Sequence, residues 1–321
     1  MNIKILILGS RGFFGKNLKL LLQNTNYTLY FLDRTIADAQ NIVQLNSIFT
    51  EFTPEVVINC CGIVGSSELN KELDQTAILN TNINLNTNVF TCCKNNNVKK
   101  LIVFSSYRIF PNNIEDGYDE SKLSCLDFSF SHTNANNTGY LLSKKIMHLQ
   151  IELMKQNTDI KIICLVLPNV FGLYDMFTMN GRIVPSFIHK INTAKEESTN
   201  LIINSDGRTM IDLIYMNDIV YIIDKCIKQS NITGDIIVFN ENTKLTLEEL
   251  VNILAKKMNY IHQIVFTNVL SSKPPKLATP NNHKFNAYFE DFKFTDLNDS
   301  LQKTIDYYVN LMETLECRKL C

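Results

Sequence analysis

The amino-acid sequence predicts an α/β protein built on a doubly wound parallel sheet, with a smaller C-terminal lobe. Three observations lead there. Short runs rich in Ile, Leu and Val alternate with longer amphipathic runs through the first half of the chain. A glycine-punctuated turn, Gly9-x-x-Gly12-x-x-Gly15, follows the first of these runs and opens a helix-patterned segment. The second half is less regular, and its apolar runs are shorter. At 321 residues, the chain is long enough to bury a large core.

In chain order, Lys4–Leu8, Leu29–Leu32, Val56–Asn59, Leu101–Phe104 and Ile162–Val166 are predicted buried parallel strands. Asn17–Leu22 and Asn82–Cys93 lie between them with the spacing of crossover helices. Asn180–Ile191 is helical in its later part, and Leu201–Asn204, Asp212–Tyr215 and Ile236–Phe239 are short strands. Leu247–Met258 is an amphipathic helix entered through Thr246-Leu-Glu-Glu249, a capping-box pattern. Lys273-Pro-Pro-Lys276 and Pro280–His283 are loop signals. A last helix near Leu301–Leu315 is expected to pack on the sheet. With no internal repeat and no long linker, residues 1–170 are expected to form a dinucleotide-binding core. Residues 171–321 would then form mainly a substrate lobe, interleaved with that core.

Composition narrows the function classes. Lys and Arg total 31 against 32 Asp and Glu, for a net charge of -1, with both signs spread along the chain. That balance argues against a nucleic-acid or membrane-surface protein. The sequence shows no signal-peptide pattern and no membrane-length apolar run, so a soluble, cytoplasmic protein is expected. Nine cysteines include the pairs Cys60-Cys61 and Cys92-Cys93, neither with zinc-site spacing. They are expected to be reduced core thiols, and no metal centre is predicted. The many asparagines, as in Asn95–Asn97, are expected in solvated loops and helix ends.

The glycine turn points to a dinucleotide. The first glycine permits the tight turn, the second lets backbone amides approach a pyrophosphate, and the third allows close helix packing. Phe13 and Phe14 sit at the helix entrance beside it. Asp33, ending the second strand, is placed for an adenosine ribose. Arg34 beside it and Arg11 within the loop could clamp a 2′-phosphate. Two guanidiniums against one carboxylate favour NADP(H), with NAD(H) as the alternative. Cys60-Cys61-Gly62 offers small side chains where the backbone must pass close to the cofactor, and Leu167, closing a later strand, joins that set.

The chemistry lies in Tyr140-Leu-Leu-Ser-Lys144 and Ser105-Ser106. Four-residue spacing puts Tyr140 and Lys144 on one helix face, where the ammonium is expected to lower the phenol's pKa. Lys144 also counts among the cofactor contacts, as does Tyr140. A serine at the end of the strand, Ser106 rather than Ser105, would hold a carbonyl. Carbonyl, proton donor and hydride source together describe a reductase.

With glycine turn, serine strand and Tyr-x-x-x-Lys in this order, the chain resembles the extended short-chain dehydrogenase/reductases acting on nucleotide sugars, and within them the GDP-L-fucose synthase group. The resemblance spans about residues 3–290. It rests on Cys60-Cys-Gly-Ile-Val-Gly65, Asn82 with Asn88, and Ser106-Tyr-Arg-Ile-Phe-Pro111. It also includes Pro168-Asn169-Val-Phe-Gly172 with Asp175 and Phe177, Arg182-Ile-Val-Pro185, and Asp206-Gly-Arg through Asp218. The resemblance implies a Rossmann-like core, a nucleotide-diphosphate sugar as substrate, and a homodimer. It gives Ser106, Tyr140 and Lys144 the catalytic roles, and Asn169 a substrate contact. Three departures stand out. Relatives that epimerise C3 and C5 carry a cysteine and a histidine where this chain has Arg108 and Arg182, and an arginine where it has Ile211. Arginine stays protonated and cannot exchange protons at neutral pH. Arg108 and Arg182 are therefore assigned to substrate binding, and Arg208 and Lys190 to the diphosphate. Tyr107 and Tyr174 are expected to pack or stack, and His132 and His189 to be structural.

The expectation is thus an NADP(H)-dependent 4-reductase of a nucleotide-linked 4-keto-6-deoxy sugar. A bifunctional epimerase/reductase is the alternative, followed by a 4-epimerase and a non-catalytic dinucleotide sensor. A 4,6-dehydratase is disfavoured because Tyr107-Arg108 stands where those enzymes have Asp-Glu.

Overall fold

The computed structural model describes residues 2–23, 25–64, 73–110, 119–125, 137–267, 280–281 and 283–320. Gly65, Pro111, His132, the Lys273–Lys276 loop and Asn282 lie outside them. Six strands form the main sheet: β1 (Lys4–Leu8), β2 (Thr28–Leu32), β3 (Val56–Asn59), β4 (Lys100–Ser106), β5 (Lys161–Leu167) and, after three strands of the lobe, β9 (Gly234–Ile237). Their order is β2-β1-β3-β4-β5-β9, and every pair is parallel. Ile5, Leu6, Ile7 and Leu8 are all fully buried, which explains the unbroken apolar run: both faces of a parallel sheet are covered.

Helices α1 (Phe13–Leu22), α2 (Ile42–Phe52), α3 (Gln75–Asn95), α4 (Thr138–Asn157) and, later in the chain, α6 (Met216–Lys228) supply that cover. One face packs Leu45, Phe49, Val89 and Met147 against Leu6, Val57 and Leu101. The other packs Leu18, Leu22, Ile219 and Ile223 against Ile5, Ile58 and Ile102. β1 has β2 on one side and β3 on the other, so the winding reverses between β1 and β3. A crevice opens at their carboxyl ends, where doubly wound sheets bind ligands.

The lobe contains β6 (Asn169–Phe171), α5 (Ile183–Glu196), β7 (Leu201–Ile203), β8 (Met210–Tyr215), β10 (Lys244–Thr246), α7 (Leu247–Lys257) and β11 (Ile264–Phe266). Its sheets run β10-β8-β6 and β11-β7. Thr246 and Glu249 form the expected capping box at α7. The short α8 (His283–Tyr288) precedes α9 (Leu297–Leu320). The last helix does not pack on the main sheet, as the sequence suggested. Leu301, Ile305 and Tyr308 join Phe187, Ile191 and Leu250 in the lobe's own core.

The asparagines also need correcting. Asn17, Asn59, Asn82, Asn86 and Asn88 are buried. Asn88 Nδ2 donates to the carbonyls of Ala39 and Gln40 at 3.0 and 2.8 Å. Asn82 both accepts from Ile63 N (2.7 Å) and donates to Ile63 O (3.1 Å), pinning the loop after β3. A short amide side chain can satisfy a bending backbone's donor and acceptor together, which no apolar residue can do. The cysteines follow expectation: Cys60, Cys61, Cys92, Cys93, Cys164 and Cys226 are free thiols with raised pKa values, chiefly through burial. Among the described residues, no helix is long and apolar enough to cross a membrane.

Candidate active site

The crevice at the β1–β3 reversal is a cleft of about 360 Å³. It is lined by Gly9, Arg11, Gly12, Asp33, Arg34, Cys60, Cys61 and Gly62, as the sequence indicated. Ala37, Asp38, Ala39, Ile63 and Leu85 line it too, and were missed. The only signal for the first three was the small-residue stretch after β2. Gly9 has φ +74°, and a Cβ there would lie 2.9 Å from the Cys60 carbonyl carbon. Gly12 caps α1 without a side-chain bond, leaving first-turn amides directed at the cleft mouth. Asp33 accepts from Thr35 N at 2.8 Å and Thr35 Oγ1 at 2.6 Å; these bonds, and then Arg11, hold its carboxyl below the usual range. Its turn is therefore preformed, with Arg34 exposed beside it.

Gly15, Phe13, Phe14 and Leu167 sit behind this lining. A Cβ on Gly15 would fall 2.4 Å from Ser10 Cα and 2.5 Å from Gly9 O, so the helix can approach the loop only as glycine. Gly15→Ala is expected to displace the loop, destabilising the protein by about 1–3 kcal/mol and weakening dinucleotide binding. Thermal melts and a cofactor fluorescence titration check both. Phe14 packs on Phe104 with centroids 4.7 Å apart, and Leu167 is in the core, so any cofactor contact from Phe13 or Phe14 would come through their backbone amides.

Ser106, Tyr140 and Lys144 come together at the end of β4. Tyr140's phenol faces Ser106, whose Oγ accepts from Arg108 N at 3.3 Å, closing a tight turn at Tyr107–Ile109. Lys144 Nζ donates to Phe104 O at 2.7 Å and stands 5.8 Å from the Tyr140 ring centre. Burial pushes the Lys144 pKa down to about 8, with Cys164 and Cys60 opposing it. The expected lowering of the phenol's pKa by Lys144 is not what the geometry gives. Burial raises the Tyr140 pKa, and the charges opposing that rise are Arg108 and then Arg182, helped by Ser106. Lys144's ammonium is turned instead to the carbonyl of Phe104.

The two arginines are held differently. Arg182 donates from Nη2 to Asp175 Oδ1 at 2.6 Å and from Nε at 3.1 Å, and lies 4.0 Å over the Phe13 ring. It bridges the glycine turn to the lobe, with its charge answered by a buried carboxylate. Arg108 is exposed and reaches Asn169 Oδ1 at 3.4 Å. Asn169 Nδ2 contacts Tyr107 OH at 3.3 Å and donates to Asp212 O at 3.2 Å, so its amide is oriented from both sides.

Arg208 Nε pairs with Asp206 at 3.2 Å, and Lys190 Nζ lies 5.2 Å from the Phe187 ring centre. Ile211 is buried in the lobe core. His189 Nδ1 is 3.0 Å from Tyr308 OH, and Tyr174, at φ +61°, packs on Tyr307.

A family description, the NAD dependent epimerase/dehydratase family, matches residues 5–239. The chain belongs to that family. Its sequence is 22% identical to a GDP-L-fucose synthase of Dictyostelium discoideum, over 97% of this chain and 96% of the relative. Among solved structures it is similar to a GDP-L-fucose synthetase from Naegleria fowleri, with TM-score 0.84, 21% identity, and 97% and 95% of the two chains covered. A GDP-mannoheptose C4 reductase from Campylobacter jejuni, solved with NADP bound, gives TM-score 0.81 at 20% identity, covering 96% and 98%. At these identities the structural likeness establishes the fold.

Proposed function

We propose that this chain is an NADP(H)-dependent 4-reductase of a nucleotide-diphosphate-linked 4-keto-6-deoxy sugar, acting in deoxysugar biosynthesis. The observation that carries this reading is Tyr140 facing Ser106 and two arginines, with Lys144 one turn along the same helix, beside a glycine-turned cleft. The cleft suits a dinucleotide: Gly9 and Gly15 let the turn pack tightly against Cys60 and Ser10 beside it, and Arg11 and Arg34 stand where a 2′-phosphate would need cations. Gly9–Gly15, Asp33, Arg34 and Cys60–Gly62 would hold the cofactor, which supplies hydride. The relatives' names support a GDP sugar as substrate.

Ser106 binds the ketone oxygen, and Tyr140 gives that oxygen its proton as charge develops. The raised phenol pKa keeps the proton in place until then. Arg108 and Arg182 favour the phenolate that is left. Lys144, poised near pH 8, is suited to hold the nicotinamide ribose. Arg108 also supports Asn169 as a sugar contact. Because neither guanidinium exchanges protons at neutral pH, positions 108 and 182 cannot support inversion at C3 or C5. Residues 1–170 would carry the cofactor and 171–321 mainly the sugar, with α6 and β9 returning to the core. The exposed Leu149 and Leu153 on α4, which packs along α3, suit a homodimer.

The test is turnover of GDP- and UDP-linked 4-keto-6-deoxyhexoses with NADPH in deuterated water, with products read by NMR. NADPH oxidation without deuterium at C3 or C5 is expected. Deuterium at either carbon would establish the bifunctional epimerase/reductase, which the Dictyostelium relative's name favours.

A further inference from the structure

Tyr140, Lys144 and His148 lie one turn apart on a single face of α4. They meet three consecutive residues of β4: Tyr140 faces Ser106, Lys144 bonds Phe104 O, and His148 Nε2 lies 2.9 Å from Ser105 Oγ. The third contact is sealed from solvent, with Ser105 and His148 each 4% exposed. Behind it, His148 Nδ1 is 3.2 Å from Asp235 Oδ1 on β9, and Cys164 Sγ on β5 is 4.0 Å from Nε2. Lys155 Nζ lies 3.5 Å from Asp235 Oδ2, and Lys284 Nζ donates to Asp235 O. Burial raises the Asp235 pKa, but His148, Lys155 and Lys284 outweigh it and hold the group ionised.

A serine, a histidine and an aspartate in this order resemble a nucleophilic triad, but Ser105 is out of reach of any external substrate. His148, Cys164 and Asp235 also lie close enough to share a metal ion. Lys155 serves Asp235 Oδ2, Lys284 takes only the main-chain carbonyl, and Ser105 occupies Nε2, so a cation here would have to displace Ser105 from the imidazole. What β4 lacks at this point is a neighbour. Its pairing with β3 ends at Val103, so Phe104, Ser105 and Ser106 are bonded to β5 alone. The chain then turns sharply at Tyr107.

We propose that His148, backed by Asp235, is a positioning residue that clamps Ser105 and so fixes the overhanging end of β4, holding Ser106 in register with Tyr140. The rigid peptide between Ser105 and Ser106 transmits the restraint. The assignment rests on the reductase reading of the site. The groups facing His148 are Ser105 from β4, Cys164 from β5 and Asp235 from β9, with Lys144 and Lys155 along its own helix and Lys284 beyond Asp235.

Two readouts on the full-length protein test it. One is the phenol titration of Tyr140, taken as the ultraviolet difference from Tyr140→Phe, which needs no substrate. The other is NADPH oxidation with a GDP-linked 4-keto-6-deoxyhexose. Ser105→Ala and His148→Leu are each expected to raise the phenol's pKa and lower kcat by about tenfold to a hundredfold, with KM and NADPH affinity within about twofold. The double variant should be no worse than the single ones, because the two act as one unit. His148→Gln, which keeps a nitrogen near Ser105, should recover most of the loss. An unchanged Tyr140 titration and kcat in Ser105→Ala would overturn the proposal, as would a stoichiometric metal lost in Asp235→Asn. If Ser106→Ala and Tyr140→Phe themselves retained turnover, the reductase reading would fail instead.

Discussion

Tyr140→Phe is expected to reduce NADPH-dependent ketone reduction about a thousandfold, within the range of about 10²–10⁴ that a positioned proton donor contributes. NADPH affinity should persist, because the ring stays in place and only the hydroxyl leaves. The size of the effect follows from the surroundings of the phenol. Burial alone would make Tyr140 a reluctant acid, and Arg108, Arg182 and Ser106 reverse part of that. Their attraction acts on the phenolate, so it grows as the proton departs and belongs to the transition state. Steady-state kinetics with a cofactor titration check the split. A variant within about tenfold of wild type would remove Tyr140 from the chemistry, since a lost general acid contributes more than that.

Much of this was legible in the sequence because each signal has a local cause. Gly9 and Gly15 are demanded by a positive φ and by a helix pressed onto Ser10, so the pattern carries its own geometry. Ile5–Leu8 and Val56–Asn59 are apolar because both faces of the sheet are covered. The failures share a different cause: they depend on contacts distant in sequence. Nothing near Tyr140 announces that Arg108 and then Arg182, rather than Lys144, are the charges that act on its phenol, or that Lys144 turns to Phe104 O. Asn82 and Asn88 were legible as helix positions, but the reason for their burial was not until Ile63, Ala39 and Gln40 supplied their partners. His148 is unremarkable in sequence, and gains meaning only from Ser105 and Asp235. The last helix was assigned to the wrong layer because an amphipathic face shows that it is covered, but not by what.

Lys144→Met is expected to separate function from stability. The variant should lose most turnover, yet the cofactor-free protein should be more stable than wild type at neutral pH. The sign follows from linkage. Burial lowers the folded-state pKa of Lys144 from 10.5 to about 8, so the unfolded chain holds this proton more tightly than the folded one does. Below pH 8 the folded state bears the whole burden of a buried ammonium, about 3 kcal/mol by linkage. As pH rises from 8 through 10.5 that burden fades, so wild-type stability should climb across this window relative to the variant. Methionine fills a similar volume without the charge, but it leaves Phe104 O without its donor, at about 1–3 kcal/mol. The expected advantage at pH 7 is therefore small, on the order of 1 kcal/mol, and it should reverse near pH 10.5 when only the missing hydrogen bond remains. Urea denaturation of both proteins at pH 7 and pH 10.5 measures the difference, and subtracting one protein from the other cancels the thiols that titrate in the same range. A stability difference that did not move with pH would mean that the ammonium is solvated in the folded protein. The depressed pKa of Lys144 would then have no physical basis.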